Sequence, residues 1–158
     1  MSIELVVATF EGDETKAGEV LEHLKKLEAD EVLHLKHVAM VSKTKDGDVK
    51  VEDVGDVDSR HGAVFGAITG GLIGLIGGPV GVVAGAVAGA ATGGVTANLA
   101  DHGVSDDVIH HIKQGLQPGS SAIIAYAELD GAATLIDELN NAGAIVVNQP
   151  LNSASLDQ

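Results

Sequence analysis

The chain has 158 residues, with 23 acidic and 9 basic side chains, a net charge of -14 and no cysteine. That excludes a disulfide framework and thiolate chemistry, and it leaves too few clustered lysines and arginines to neutralise nucleic-acid phosphates or to hold an anionic lipid surface by charge. The length suits one domain with its own core and is short for two, so a second module would have to be an insertion.

The first run, Ile3 to Phe10, is β-branched and apolar and stops at Glu11-Gly12-Asp13, which reads as a strand and a turn. Nothing before it resembles a cleaved targeting segment, because Glu4 stands where a basic start belongs and the apolar run ends too soon. Ala17, Val20, Leu21, Leu24 and Leu27 recur at helical spacing among charged neighbours. They predict an amphipathic helix from about Glu14 to Ala29, with Asp13 as the carboxylate that accepts from its first free amides. Val32 to Ser42 predicts a strand. Lys45-Asp46-Gly47-Asp48 turns the chain, and Val49, Val51 and Val54 alternate with polar residues in a second strand.

His61 to Ala100 contains no charged residue, and twelve of its forty residues are glycine. Gly62, Gly66, Gly70, Gly74 and Gly78 recur every fourth residue; after Pro79 the spacing restarts with Gly81, Gly85, Gly89 and Gly93 and continues at Ala97. In water an interior glycine costs a helix about 1 kcal/mol relative to alanine, so a helix of this composition needs close packing to form. Glycines four apart clear one stripe of side chains and let two backbones meet. The segment therefore predicts a helical hairpin with its tip at Gly77, Gly78 and Pro79. At 1.5 Å per residue the arms rise roughly 27 and 33 Å, close to a hydrocarbon core of about 30 Å. Two environments satisfy this pattern: a bilayer, or the dry centre of a water-soluble oligomer.

After the insert, Ser105 predicts a helix cap, with Val104 and Ile109 as a hydrophobic staple and Pro118-Gly119 as the stop near Leu116. Ser121 to Leu129 predicts a strand, Ala132 to Asn141 a helix closed by Gly143, and Ala144 to Leu151 a final strand. The expected architecture is α+β. Residues 1–60 and 101–151 form one head domain, 61–100 the inserted hairpin, and 152–158 a polar tail. The order β-α-β-β-[hairpin]-α-β-α-β matches, in its first six elements, the ferredoxin-like split βαβ scheme, which puts helices on one face of an antiparallel sheet.

No catalytic, cofactor or metal site is predicted. Of the seven histidines, His23, His34, His37, His61, His102, His110 and His111, the closest pairs are badly placed for one tetrahedral ion. Adjacent His110 and His111 diverge by about 100° on a helix, and the odd offset of His34 from His37 splits them between the faces of a strand. Asp53, Asp56 and Asp58 lead into the insert without EF-hand spacing, and they read as a solvated loop in preference to a cation site. G-x-x-x-x-G-K-[ST] and G-x-S-x-G are both absent.

The stretch EDVGDVDSRHGAVFGAITGGLIGLIGGPVGVVAGAVAGAATGG, with VATFEGDETKAGEVLEHL before it and LQPGSSAIIAYAEL after it, resembles an uncharacterised bacterial family catalogued as domain of unknown function 1269. The resemblance runs from about Ile3 to Leu129. It implies a short α/β domain interrupted by a glycine-zipper hairpin and, through the family's usual label, a membrane protein; it brings no activity and no catalytic residues. Together these readings lead to a non-enzymatic protein whose hairpin drives homo-oligomerisation in or at the cytoplasmic membrane, with the head in the cytoplasm. Its expected partners are copies of itself and membrane lipid, with no nucleic acid and no identifiable small-molecule substrate. The alternatives are a soluble cytoplasmic homo-oligomer, ring or filament, with bundled hairpins, and a small-molecule or metal-binding enzyme on a ferredoxin-like fold.

Overall fold

The structure, a computed structural model, describes residues 3–54, 68, 69, 71, 72 and 103–151. Among these residues it is α+β, with five strands in one antiparallel sheet and three helices. In chain order these are β1 (Ile3–Phe10), α1 (Lys16–Ala29), β2 (Leu35–Lys43), β3 (Val49–Val54), α2 (Asp106–Gly115), β4 (Ser120–Glu128), α3 (Leu129–Asn141) and β5 (Ile145–Leu151). Residues 68, 69, 71 and 72 are also helical.

The sheet order is β3-β2-β4-β1-β5. β3 therefore stands at an edge beside β2, and the strand next to β1 is β4. Every residue of β1 is buried, and so is nearly every residue of β4. Their sequences, IELVVATF and SSAIIAYAE, lack polar alternation because both faces of the sheet are covered. On one face Val6, Ala8, Ile123 and Ala125 pack against Leu21 and Leu24 of α1 and Leu135 and Leu139 of α3. On the other, Leu5, Val7, Ile124 and Tyr126 share a core with Val108 and Ile112 of α2 and with Ile68 and Leu72. This corrects the expectation of helices on one face only: two central strands without a polar side cannot leave either face to water.

Local chemistry accounts for the element ends. Asp13 Oδ1 accepts from the Thr15 and Lys16 amides and from the Thr15 hydroxyl, each at 3.0 Å, so the carboxylate opens α1 from three residues ahead of Lys16, with Thr15 and not Asp13 in the N-cap position. These bonds, led by that from the Thr15 amide, hold the Asp13 carboxyl below its ordinary range. Ser121 fastens the same turn to β4: its Oγ donates to the Asp13 carbonyl at 2.6 Å and accepts from the Ala17 amide at 3.1 Å. Ser105 caps α2 by accepting from the Val108 amide at 3.4 Å. Val104 and Ile109 pack into the same core, as a staple requires.

α1 and α3 end alike. In α1 the Val32 amide donates to the Leu27 carbonyl and the Glu31 amide to Glu28; in α3 the Ala144 amide donates to Leu139 and the Gly143 amide to Asn140. Both are Schellman closures, which need a left-handed residue after the cap. α3 supplies Gly143 at φ 90°, whereas α1 uses Glu31 at φ 60°.

Candidate functional site

The covered face beside α2 holds the feature that local sequence reading could not reach. Tyr126 sits in the middle of the sheet, opposite Leu5 of β1 and His37 of β2, and is fully buried. A tyrosine hydroxyl in such a place needs a partner. It finds one 57 residues away: Tyr126 Oη and Thr69 Oγ1 are 2.8 Å apart. Thr69 belongs to the uncharged insert and is itself buried. On either side of it Ile68 and Leu72 are wholly enclosed in the core of this face. At roughly 1.5–3 kcal/mol for burying one large aliphatic side chain, these two contribute a substantial share of the face's cohesion.

His37 completes the polar cluster. Its ring lies 5.9 Å from that of Tyr126, tilted by 51°, and both ring nitrogens are shielded from solvent. It reaches this position through an irregularity in β2, where the register against β4 shifts between Leu35 and His37. His34 precedes the strand and is exposed, so the two histidines are separated by burial and not, as expected, by the faces of one strand. The core of this face thus includes Ile68, Thr69 and Leu72 of the uncharged segment, with the Thr69–Tyr126 bond joining them to β4.

A second cluster lies where α2 crosses the ends of β1 and β5. His111 Nε2 is 3.2 Å from the Ile145 carbonyl and 3.3 Å from Thr9 Oγ1. Burial pushes the His111 imidazole below its ordinary pKa, against weaker opposite pulls from the Ile145 carbonyl and Glu11. The ring therefore favours its neutral form, with Nε2–H donating to the carbonyl. α2 comes close here because Gly115 has no side chain: a Cβ on it would stand 2.7 Å from Thr9 Cγ2.

The remaining candidates scatter. His23 pairs with Glu138 at 2.9 Å across α1 and α3 on an exposed surface, and His110 is exposed on α2. Among the described residues, no three histidine, aspartate or glutamate side chains gather to hold a metal ion, and no helix is long and apolar enough to cross a membrane. The ladder positions Gly62, Gly66, Gly70, Gly74, Gly78, Gly81, Gly85, Gly89, Gly93 and Ala97, the tip residues Gly77 and Pro79, Asp56, Asp58, His61 and His102 lie outside the described residues, as does the side chain of Asp53.

Tyr126, Thr69 and Thr9 were not singled out from sequence, and His37 and His111 were weighed there only as metal ligands and set aside. The one available signal was Tyr126, the chain's single tyrosine, within the apolar run AIIAYA, whose hydroxyl had to be satisfied by something distant. Neither the curated proteins nor the solved structures provide a match to the chain. A family model does, over residues 63–158, more than half of the length and including Thr69, α2 and the last two strands. The chain belongs to the family described as Protein of unknown function (DUF1269).

Proposed function

We propose that this chain is a non-enzymatic, self-associating protein in which a rigid α+β head carries a glycine-zipper hairpin, and that the hairpins of several copies bundle through their glycine stripes. The observation that carries this reading is the burial of Ile68, Thr69 and Leu72 in the head's own core. At roughly 100° per residue, a regular helix that sets Ile68, Thr69 and Leu72 against the sheet would turn Gly66, Gly70 and Gly74 about 160°, 160° and 120° away from Ile68. The aliphatic side of the first arm is then used by the head, and the glycine side is left for another helix.

The same observation favours the water-soluble form of this reading over a bilayer span. One aliphatic face cannot pack on a sheet and face lipid tails together, and the Thr69–Tyr126 bond ties that face to the sheet. The head itself we read as ferredoxin-like, with β1-α1-β2 and β4-α3-β5 as its two split units, β3 as an added edge strand and α2 as a cover on the opposite face. Supporting this are the strand order β2-β4-β1-β5 and the matched closures of α1 and α3.

Light scattering on the intact chain purified without detergent tests the proposal. The parent should run as a large oligomer, and Gly85→Leu or Gly89→Leu should shift it to smaller species by blocking close helix approach. A parent that elutes as a detergent-free monomer would sink the proposal, and a parent found only in the membrane fraction would restore the bilayer reading.

A further inference from the structure

The two edges of the sheet differ in charge. β3, at one edge, reads VKVEDV and carries Lys50, Glu52 and Asp53; β5, at the other, reads IVVNQPL and carries no charge. Charged residues are a common guard against strand addition, so one edge is protected in this way and the other is not. Between two molecules of net charge -14, approach is cheapest where neither presents a charge.

Backbone direction points to the same edge. β5 pairs with β1 in the register Glu4 to Pro150 and Leu5 to Gln149. Pro150 has no N–H to give β1, so its backbone faces away from that partner. By the two-residue period of a strand, Asn148 and Val146 face away as well. Among the described residues their amides and carbonyls form a short open ladder, and Ile145 beside them is 51% exposed. Pro150 confines any pairing to the residues before it.

We propose that β5 is a self-pairing edge: a second copy of this chain adds its own β5 antiparallel, about a two-fold axis at Val147, so that Val146 of each copy faces Asn148 of the other. Strand 145–149 is self-complementary in this arrangement, since its side chains are apolar or neutral and an isologous contact needs the same patch on both molecules. A single short strand pair lies well below the roughly 1,200 Å² of a standard stable interface, so the pairing is weak and depends on concentration. It is separate from the hairpin and does not require it.

Amide exchange on the intact chain at high and low protein concentration is the test. The Val146 and Asn148 amides should exchange roughly tenfold or more slowly at high concentration, while the Val147 and Gln149 amides, which face β1, stay protected throughout. Rapid exchange at both concentrations overturns the proposal, and so does protection that ignores concentration, which would assign the cover to the chain's own residues. At the high concentration Asn148→Pro removes one outward donor and should lower the particle mass, whereas Asn148→Ala keeps the donor and should leave the mass unchanged. Equal masses for the two folded variants would contradict the pairing, whatever Gly85→Leu does to the hairpin.

Discussion

Leu72→Ala probes the joint between insert and head. Leu72 is wholly buried in the core that also contains Tyr126, Ile124 and Ile112. The substitution removes three carbons. At about 0.8 kcal/mol per buried methylene the transfer loss is roughly 2.4 kcal/mol, and the cavity left behind brings the expected cost to about 2–5 kcal/mol. With a urea slope of about 2 kcal/mol/M, the midpoint should fall by roughly 1–2.5 M. The chain has one tyrosine and no tryptophan, and that tyrosine lies in the same core, so near-ultraviolet tyrosine signals report on this site alone. Parent and variant must be compared at one protein concentration, because self-association adds stability by mass action. Val32→Ala is the control: Val32 is 57% exposed, and its loss should shift the midpoint by no more than about 0.5 kcal/mol in equivalent stability. A Leu72→Ala midpoint no lower than that of Val32→Ala would refute the claim that Leu72 is part of the sheet's core.

Tyr126→Phe should cost about 1–3 kcal/mol, read by backbone circular dichroism, because it strands the buried Thr69 hydroxyl; adding Thr69→Val should recover part of that loss, and a strictly additive pair would deny the bond. Glu31→Gly should stabilise the chain by about 0.5–1 kcal/mol, since glycine relieves the left-handed strain at φ 60° while adding freedom to the unfolded chain; a thermal midpoint that falls would show that Glu31 is not strained. Burial lowers the His111 pKa, so the unfolded chain takes up protons first as pH falls below about 6.5. Stability should therefore be complete above that pH and decline through the window beneath it. His111→Gln should flatten this decline, and an unchanged profile would remove His111 as its source.

Most of the fold was legible because its signals are local. Ser105, Pro118-Gly119 and Gly143 act within a few residues of where they stand, and each marks the end it was expected to mark, whereas Asp13 acts from two residues before the N-cap, Thr15. The strands IELVVATF and SSAIIAYAE were equally plain, but their lack of alternation carried a further message, burial on both faces, which the one-sided scheme overlooked. Glu31 was invisible as a helix stop, because glutamate has no preference for positive φ, and here the closing bonds from the Glu31 and Val32 amides to Glu28 and Leu27 accompany it. The position of His37 depends on a register shift in β2 that no periodicity records. The Thr69–Tyr126 contact was out of reach for a deeper reason: it joins two segments that each make sense alone, one as a packing helix and one as a core strand.

Burial of Ile68, Thr69 and Leu72 joins this part of the uncharged segment to the sheet's core, and the absence of cysteine makes that joint directly measurable. A single thiol introduced as Leu72→Cys should resist a maleimide in the intact, detergent-free protein at every dilution, and should become reactive only with the loss of the Tyr126 signal in urea. A thiol that reacts at the rate of an unfolded chain while Tyr126 still reports a folded core would contradict it.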